Sequence, residues 1–135
     1  MKLSAPLIHK VDCVRLHLSS LEEGLAFYRD RLRHELIWRT GEAVGLRLPG
    51  CEVEIVLHTT PPPPEIDFTV PSADAAAVRF LEAGDAIIVP PFDIQNGRCA
   101  DVQDPWNNQY ILLDTSQGLL TTDAEGRVIG NARPE

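Results

Sequence analysis

The chain has 135 residues, 44% of them hydrophobic, and carries 20 acidic against 12 basic side chains, a formal charge of −8. That length suits one domain of ~100–150 residues, able to bury roughly two-thirds of its unfolded surface. The acidic balance argues against nucleic acid or an anionic membrane as partner, since both need a basic face, and no apolar run approaches the ~18 residues of a membrane span. Residues 1–9 lack a charged-then-apolar leader pattern. Cys13, Cys51 and Cys99 are odd in number and form no CxxC pair, so the expectation is reduced thiols in a cytoplasm.

Residues 11–18 alternate strictly, with Val14, Leu16 and Leu18 on one face and Cys13, Arg15 and His17 on the other. Period two predicts a strand with one face on a core. Ser19 or Ser20 then caps a helix, and Ser20 with Glu23 fits a capping box. Leu21, Leu25, Tyr28 and Leu32 form an apolar stripe that runs out near Arg33. Strands are predicted at Glu35–Arg39, Val44–Leu48 and Cys51–His58, the last with Glu52, Glu54, Val56 and His58 on one face. Pro61 to Pro64 cannot join a ladder and reads as a stiff hinge.

The second half opens like the first. Glu65–Val70 reads as a strand with Glu65, Asp67 and Thr69 on one face. Ser72 caps a helix through Ala83, with Ala73, Ala77, Phe80 and Leu81 inward and Gly84 ending it. Ala86–Val89 is a strand that Pro90-Pro91 breaks or borders. Asn96-Gly97 is the strongest hairpin dipeptide in the chain. Arg98–Val102 returns, Asp104–Asn108 turns, and Tyr110–Leu113 is the last strong strand. Sliding the chain by 52 residues lays Glu65 on Cys13, Ser72 on Ser20 and Phe80 on Tyr28. The prediction is an α+β fold of two βαβββ repeats, one about 9–60 and one about 65–116, with a Pro hinge at 61–64. All belong to a single domain, 1–135. Residues 117–135 hold a small extra hairpin at 119–130 and a tail whose last five residues fray.

The stretch Leu21-Glu22-Glu23-Gly24-Leu25-Ala26-Phe27-Tyr28-Arg29-Asp30-Arg31-Leu32 resembles the "DLxxxLAFYRDxLG" helix of the vicinal oxygen chelate superfamily. That superfamily holds glyoxalases, bleomycin-resistance proteins and extradiol dioxygenases. Asp104-Pro105-Trp106-Asn107-Asn108 is similar to its "DPxGN" turn. The resemblance covers about residues 9–116. It implies a curved, cup-shaped mixed sheet around a small ligand, and a homodimer.

In metal-using members, four inward positions supply His, Glu or His, His and Glu, which suits a divalent transition metal. Those positions are expected on Cys13, Glu54, Glu65 and Ile111. Only Glu54 keeps the family's residue, and Ile111 cannot coordinate. The expectation is therefore a cup without the metal, and no cofactor. Arg15 needs an anionic partner if it faces inward, either Glu54 or Glu65 or a ligand's carboxylate or phosphate. His17 is a candidate base or stand-in ligand, against a plain solvated histidine. His58 reads as an exposed strand end. Trp106 and Trp38 pad either a ligand or the core. No Ser-His-Asp elbow, phosphate loop or HExxH helix is present.

The expected function is binding of a small organic molecule by Cys13, Arg15, His17, Glu54, Glu65 and Trp106. One alternative is a divergent metal-dependent lyase or dioxygenase. The other is a drug-sequestering protein of the bleomycin-binding type, whose acidic cup would suit a cationic drug.

Overall fold

The computed structural model describes residues 5–62, 64–84 and 86–132. Part of the proline run, at Pro63, and the end of the tail expected to fray lie outside the described residues. In chain order the elements are β1 (Lys10–His17), α1 (Leu21–Leu25) widening into a π-helical turn (Ala26–Arg31), β2 (Leu36–Arg39), β3 (Ala43–Arg47) and β4 (Glu54–His58). Then come β5 (Ile66–Thr69), α2 (Ala73–Glu82), β6 (Ala86–Ile94), β7 (Gly97–Gln103), β8 (Gln109–Leu113), β9 (Leu119–Thr122) and β10 (Val128–Ala132).

The eight strands β1–β8 form one mixed sheet in the order β2-β3-β4-β1-β5-β8-β7-β6. Each half contributes four strands, and the two arrangements mirror one another about the β1–β5 seam. Within a half the first and last strands pair in parallel, β1 with β4 and β5 with β8; the seam itself is antiparallel. This is the α+β architecture that alternating strand patterns and two serine-capped helices predict.

The two helices pack over separate cores. Leu21 and Leu25 of α1 meet Val44, Leu46 and Leu57, with Leu16, Leu18 and Tyr28 around them. Ala76, Ala77 and Phe80 of α2 meet Val70, Ala100, Val102 and Leu112. Both helices begin at the expected serines: the Ser20 hydroxyl accepts from Glu23 N–H and the Ser72 hydroxyl from Ala75 N–H, each at 3.2 Å. Such caps satisfy donors that the first helical turn leaves open.

Three expectations need correction. The first helix does not stay α-helical: Leu32 N–H bonds back five residues to Phe27 O at 2.9 Å. The wider turn rotates Leu32 off the apolar stripe, and it is 48% exposed. In α2 the inward set is Ala73, Ala76, Ala77 and Phe80, while Leu81 is exposed. Finally, Pro90-Pro91 does not end β6. The strand runs through it, with register breaks between Ile87 and Val89 and between Val89 and Phe92. An outermost strand tolerates this, because its outward N–H positions need no partner.

Candidate functional site

Opposite the helix layer, the central strands present polar side chains. Cys13 and Arg15 of β1, Glu54 of β4 and Asp67 of β5 line one hollow of about 460 Å3, with Asp12 beside them. The alternation of β1 requires this: Leu16 and Leu18 pack under α1, so Cys13 and Arg15 face the other way. Asp12 breaks the alternation. The β1–β5 ladder slips between Val11 and Cys13, leaving Asp12 as the extra residue of a bulge. Consecutive Asp12 and Cys13 therefore both reach the hollow, which strict period two forbids.

Register decides which acid of β5 is central. Cys13 stands opposite Asp67 across the seam and level with Glu54 on its other side. Asp67 in turn is level with Ile111. The strand equivalent of Cys13 is thus Asp67, 54 residues on, while the serine caps remain 52 apart. Glu65 is the correction that follows. It is exposed and lines a separate hollow with Asp104, Asn107 and Tyr110. Its backbone carbonyl accepts from Arg15 N–H at 2.6 Å.

Asp67 is 7% exposed. Burial pushes its carboxyl up to about 6, although the Arg15 guanidinium and the Cys13 thiol pull the other way. Arg15 Nη1 lies 3.7 Å from Asp67 Oδ2, a loose ion pair. Among the described residues, Asp67 Oδ1 and Arg15 Nε are buried without a hydrogen-bond partner. The buried Cys13 thiol is pushed far up, first by burial and then by the Asp67 and Asp12 carboxylates, so it stays protonated. Asp12 and Glu54 are raised as well, each chiefly by burial.

Glu54 is held by Trp38, whose indole N–H donates to Glu54 Oε1 at 2.7 Å. The indole lies across Gly45, where an added Cβ would overlap the ring. Glycine in a strand interior here marks a close approach. Trp38 and Glu54 together wall the first-half side of the hollow.

The remaining expected site residues lie elsewhere. His17 is exposed and does not line the hollow; its ring meets that of His58 edge-on, 5.6 Å between centroids. His58 is buried, 2% exposed, not the exposed strand end that the sequence suggests. Its Nδ1 bonds Thr60 Oγ1 at 2.8 Å, and burial with the nearby Arg15 and His17 charges lowers its pKa. Trp106 is 78% exposed on the Asp104–Asn108 turn, where the Asp104 carboxylate accepts from the Trp106 and Asn108 N–H groups. That turn is built on local hydrogen bonds and lies away from the hollow. Asp12 and Asp67 are the acids that sequence reasoning passed over. Asp67 shares the inward parity already visible in Glu65-Ile66-Asp67, so its signal was present.

The family description "Glyoxalase/Bleomycin resistance protein/Dioxygenase superfamily" matches residues 10–111. No curated protein matches the chain significantly. Solved structures do. Methylmalonyl-CoA epimerase from Mycobacterium tuberculosis is 18% identical with a TM-score of 0.70, over 84% of this chain and 92% of that one. The Streptomyces coelicolor methylmalonyl-CoA epimerase is 13% identical with a TM-score of 0.67, over 81% and 99%. An extradiol ring-cleaving dioxygenase from B. fuscum is 21% identical with a TM-score of 0.64, over 82% of this chain and 34% of the dioxygenase. At these identities the likeness is one of fold.

Proposed function

The chain belongs to the glyoxalase/bleomycin resistance protein/dioxygenase superfamily, and from that premise we propose that it binds a small organic molecule in the β1–β4–β5 hollow without the family's metal. The residues do not fit that metal. Of the four positions, Ile111 has no donor atom. Glu54 alone keeps the family's residue, its Oε1 accepting from the Trp38 indole. Cys13 stands where metal-using members carry His and offers a buried sulfur in place of an imidazole nitrogen. The observation that carries the reading is at Asp67, where the Arg15 guanidinium stands as the neighbouring positive charge. One observation favours the divergent-metal alternative: Asp12, Cys13 and Asp67 offer donor atoms within 4.8 Å of one another. That trio mixes one soft sulfur with hard oxygens, and a cation there would sit against Arg15.

Arg15 is the natural anchor for a ligand carboxylate or phosphate, because a planar guanidinium orients such groups by charge-assisted bonds. The reading includes a second copy of the chain as partner, supported by exposed apolar side chains on β6 and α2. It also includes a reducing, cytoplasmic setting, supported by three unbridged thiols. No helix among the described residues is long and apolar enough to cross a membrane.

The test joins metal analysis to mutation. Purified protein is expected to carry iron, nickel, manganese and zinc far below one per chain, and Arg15→Ala to weaken a carboxylate ligand ~10–100-fold by calorimetry. Near-stoichiometric metal that Asp67→Ala removes would overturn the reading in favour of the metal-dependent alternative.

A further inference from the structure

The charged groups of the hollow sit on β1, β4 and β5, but much of its apolar wall comes from beyond the matched family region. Leu119, Leu120 and Thr122 of β9 line it, whereas the match ends at residue 111. A lone two-stranded hairpin is marginal in water, so something must hold this one in place. On one side Arg39 N–H donates to Gly126 O at 2.6 Å, tying the hairpin to β2, an outer strand of the sheet. On the other, Gln95 Nε2 donates to Asn131 Oδ1 at 2.7 Å, and Gln117 N–H to Asn96 O at 2.8 Å. Those bonds tie it to the β6–β7 turn of the second half. The hairpin is thus pinned to both halves, with Leu120 and Thr122, which share one face of β9, turned to the hollow and Leu119 at its lip.

Those leucines have no core to explain them. Leu119 is 72% exposed and Leu120 is half-buried, and neither belongs to the two helix-side cores. Further apolar lining comes from Ile94 of the β6–β7 hairpin and Trp38 of β2. The hollow therefore has a charged floor and an apolar rim.

We propose that the C-terminal hairpin is a specificity wall, selecting ligands that carry a compact apolar body behind a polar head. This rests on the reading of the hollow as a small-molecule site. The head meets Arg15 and the acids on the floor, and the body lies against Leu120 and Ile94. A volume of about 460 Å3 admits one ring with a short side chain and lies within the ~300–1,000 Å3 of small-molecule sites.

Four probes test this on the full chain by NMR: 3-phenylpropionate and phenethylamine, which share a body, and acetate and ethylamine, which lack it. With 3-phenylpropionate, the Leu120 methyls and the Trp38 indole N–H are expected to shift together. It is expected to bind at least tenfold more tightly than acetate. Leu120→Ala and Ile94→Ala should each weaken it about tenfold while leaving acetate unchanged. The methyl shifts are read on the native chain and stand whatever the variants do. If the indole shifts but the hairpin methyls do not, the wall proposal falls and the binding reading survives. Preference for the two amines overturns the role of Arg15 and leaves the wall intact. Silence of the indole to all four probes overturns both.

Discussion

Asp67 pays an electrostatic penalty that its neighbours only partly relieve. Its carboxyl is buried, and the nearest positive charge is 3.7 Å away, too far for a strong charge-assisted bond. The folded pKa of about 6 lies above the ~3.9 of an unfolded aspartate. A raised carboxyl stabilises the fold fully below the unfolded pKa, and that contribution fades as pH rises through the folded value. The window is therefore pH ~4 to ~6, and the loss on crossing it is about 3 kcal/mol. Asp67→Asn cannot ionise. The stability of the variant minus that of the native protein should grow by about that amount between pH 4 and pH 7.5, measured by urea unfolding at a series of pH values. A difference that stays flat would mean that Asp67 titrates normally. Reading the difference cancels any constant effect of leaving Arg15 without its carboxylate.

Among the elements, α2 depends most visibly on a single distant side chain. Asp114, just past β8 and 4% exposed, accepts from Ala73 N–H at 2.7 Å, Arg98 N–H at 3.0 Å and Ser116 N–H at 3.1 Å. Burial alone would raise its pKa, but these donors outweigh burial and lower it. Gly97 lets the β7 backbone approach, since a Cβ there would overlap Asp114. Asp114→Ala leaves the buried Ala73 N–H and the part-buried Arg98 and Ser116 N–H groups without this acceptor and should cost about 3 kcal/mol, read by denaturant unfolding. Asp114→Asn, which keeps one carbonyl oxygen, should cost less. The sequence reveals Ser72 as a cap because capping is local, but not Asp114, which lies 41 residues from Ala73. The same division runs through the site. Strand period shows that Arg15 faces inward and that Asp67 shares a face with Glu65. It cannot set the register between β1 and β5. Aligning the halves on their serine caps puts Glu65 opposite Cys13, because the second half reaches its cap two residues sooner. Only the backbone ladder puts Asp67 there. The bulge that turns Asp12 inward is hidden for the same reason: it exists between strands, not within one.

At the scale of the whole molecule, the two edges of the sheet end differently. The β2 edge meets the C-terminal hairpin through an isolated bridge between Arg39 and Arg127. The β6 edge has no strand beyond it in the sheet order, and there Ile88, Val89 and Phe92 are 39–44% exposed. Helix α2, which packs beside β6, adds Val78 at 58% and Leu81 at 55%. Edge strands invite pairing unless something blunts them. Here Pro90-Pro91 removes two donors and breaks the register, which discourages a continuous ladder but does nothing to hide the apolar side chains. A surface of that kind is suited to face-to-face burial against the same surface of a second copy, and a self-complementary patch closes as a two-fold dimer. At ten micromolar or so the expected species by light scattering has twice the 14.9 kDa chain mass. Phe92→Asp with Leu81→Lys should shift it to the single-chain mass without loss of the fold, because both side chains are substantially exposed in one copy. A native protein that stays at the single-chain mass at that concentration would rule the dimer out. A dimer that survives the double variant would move the interface away from β6 and α2.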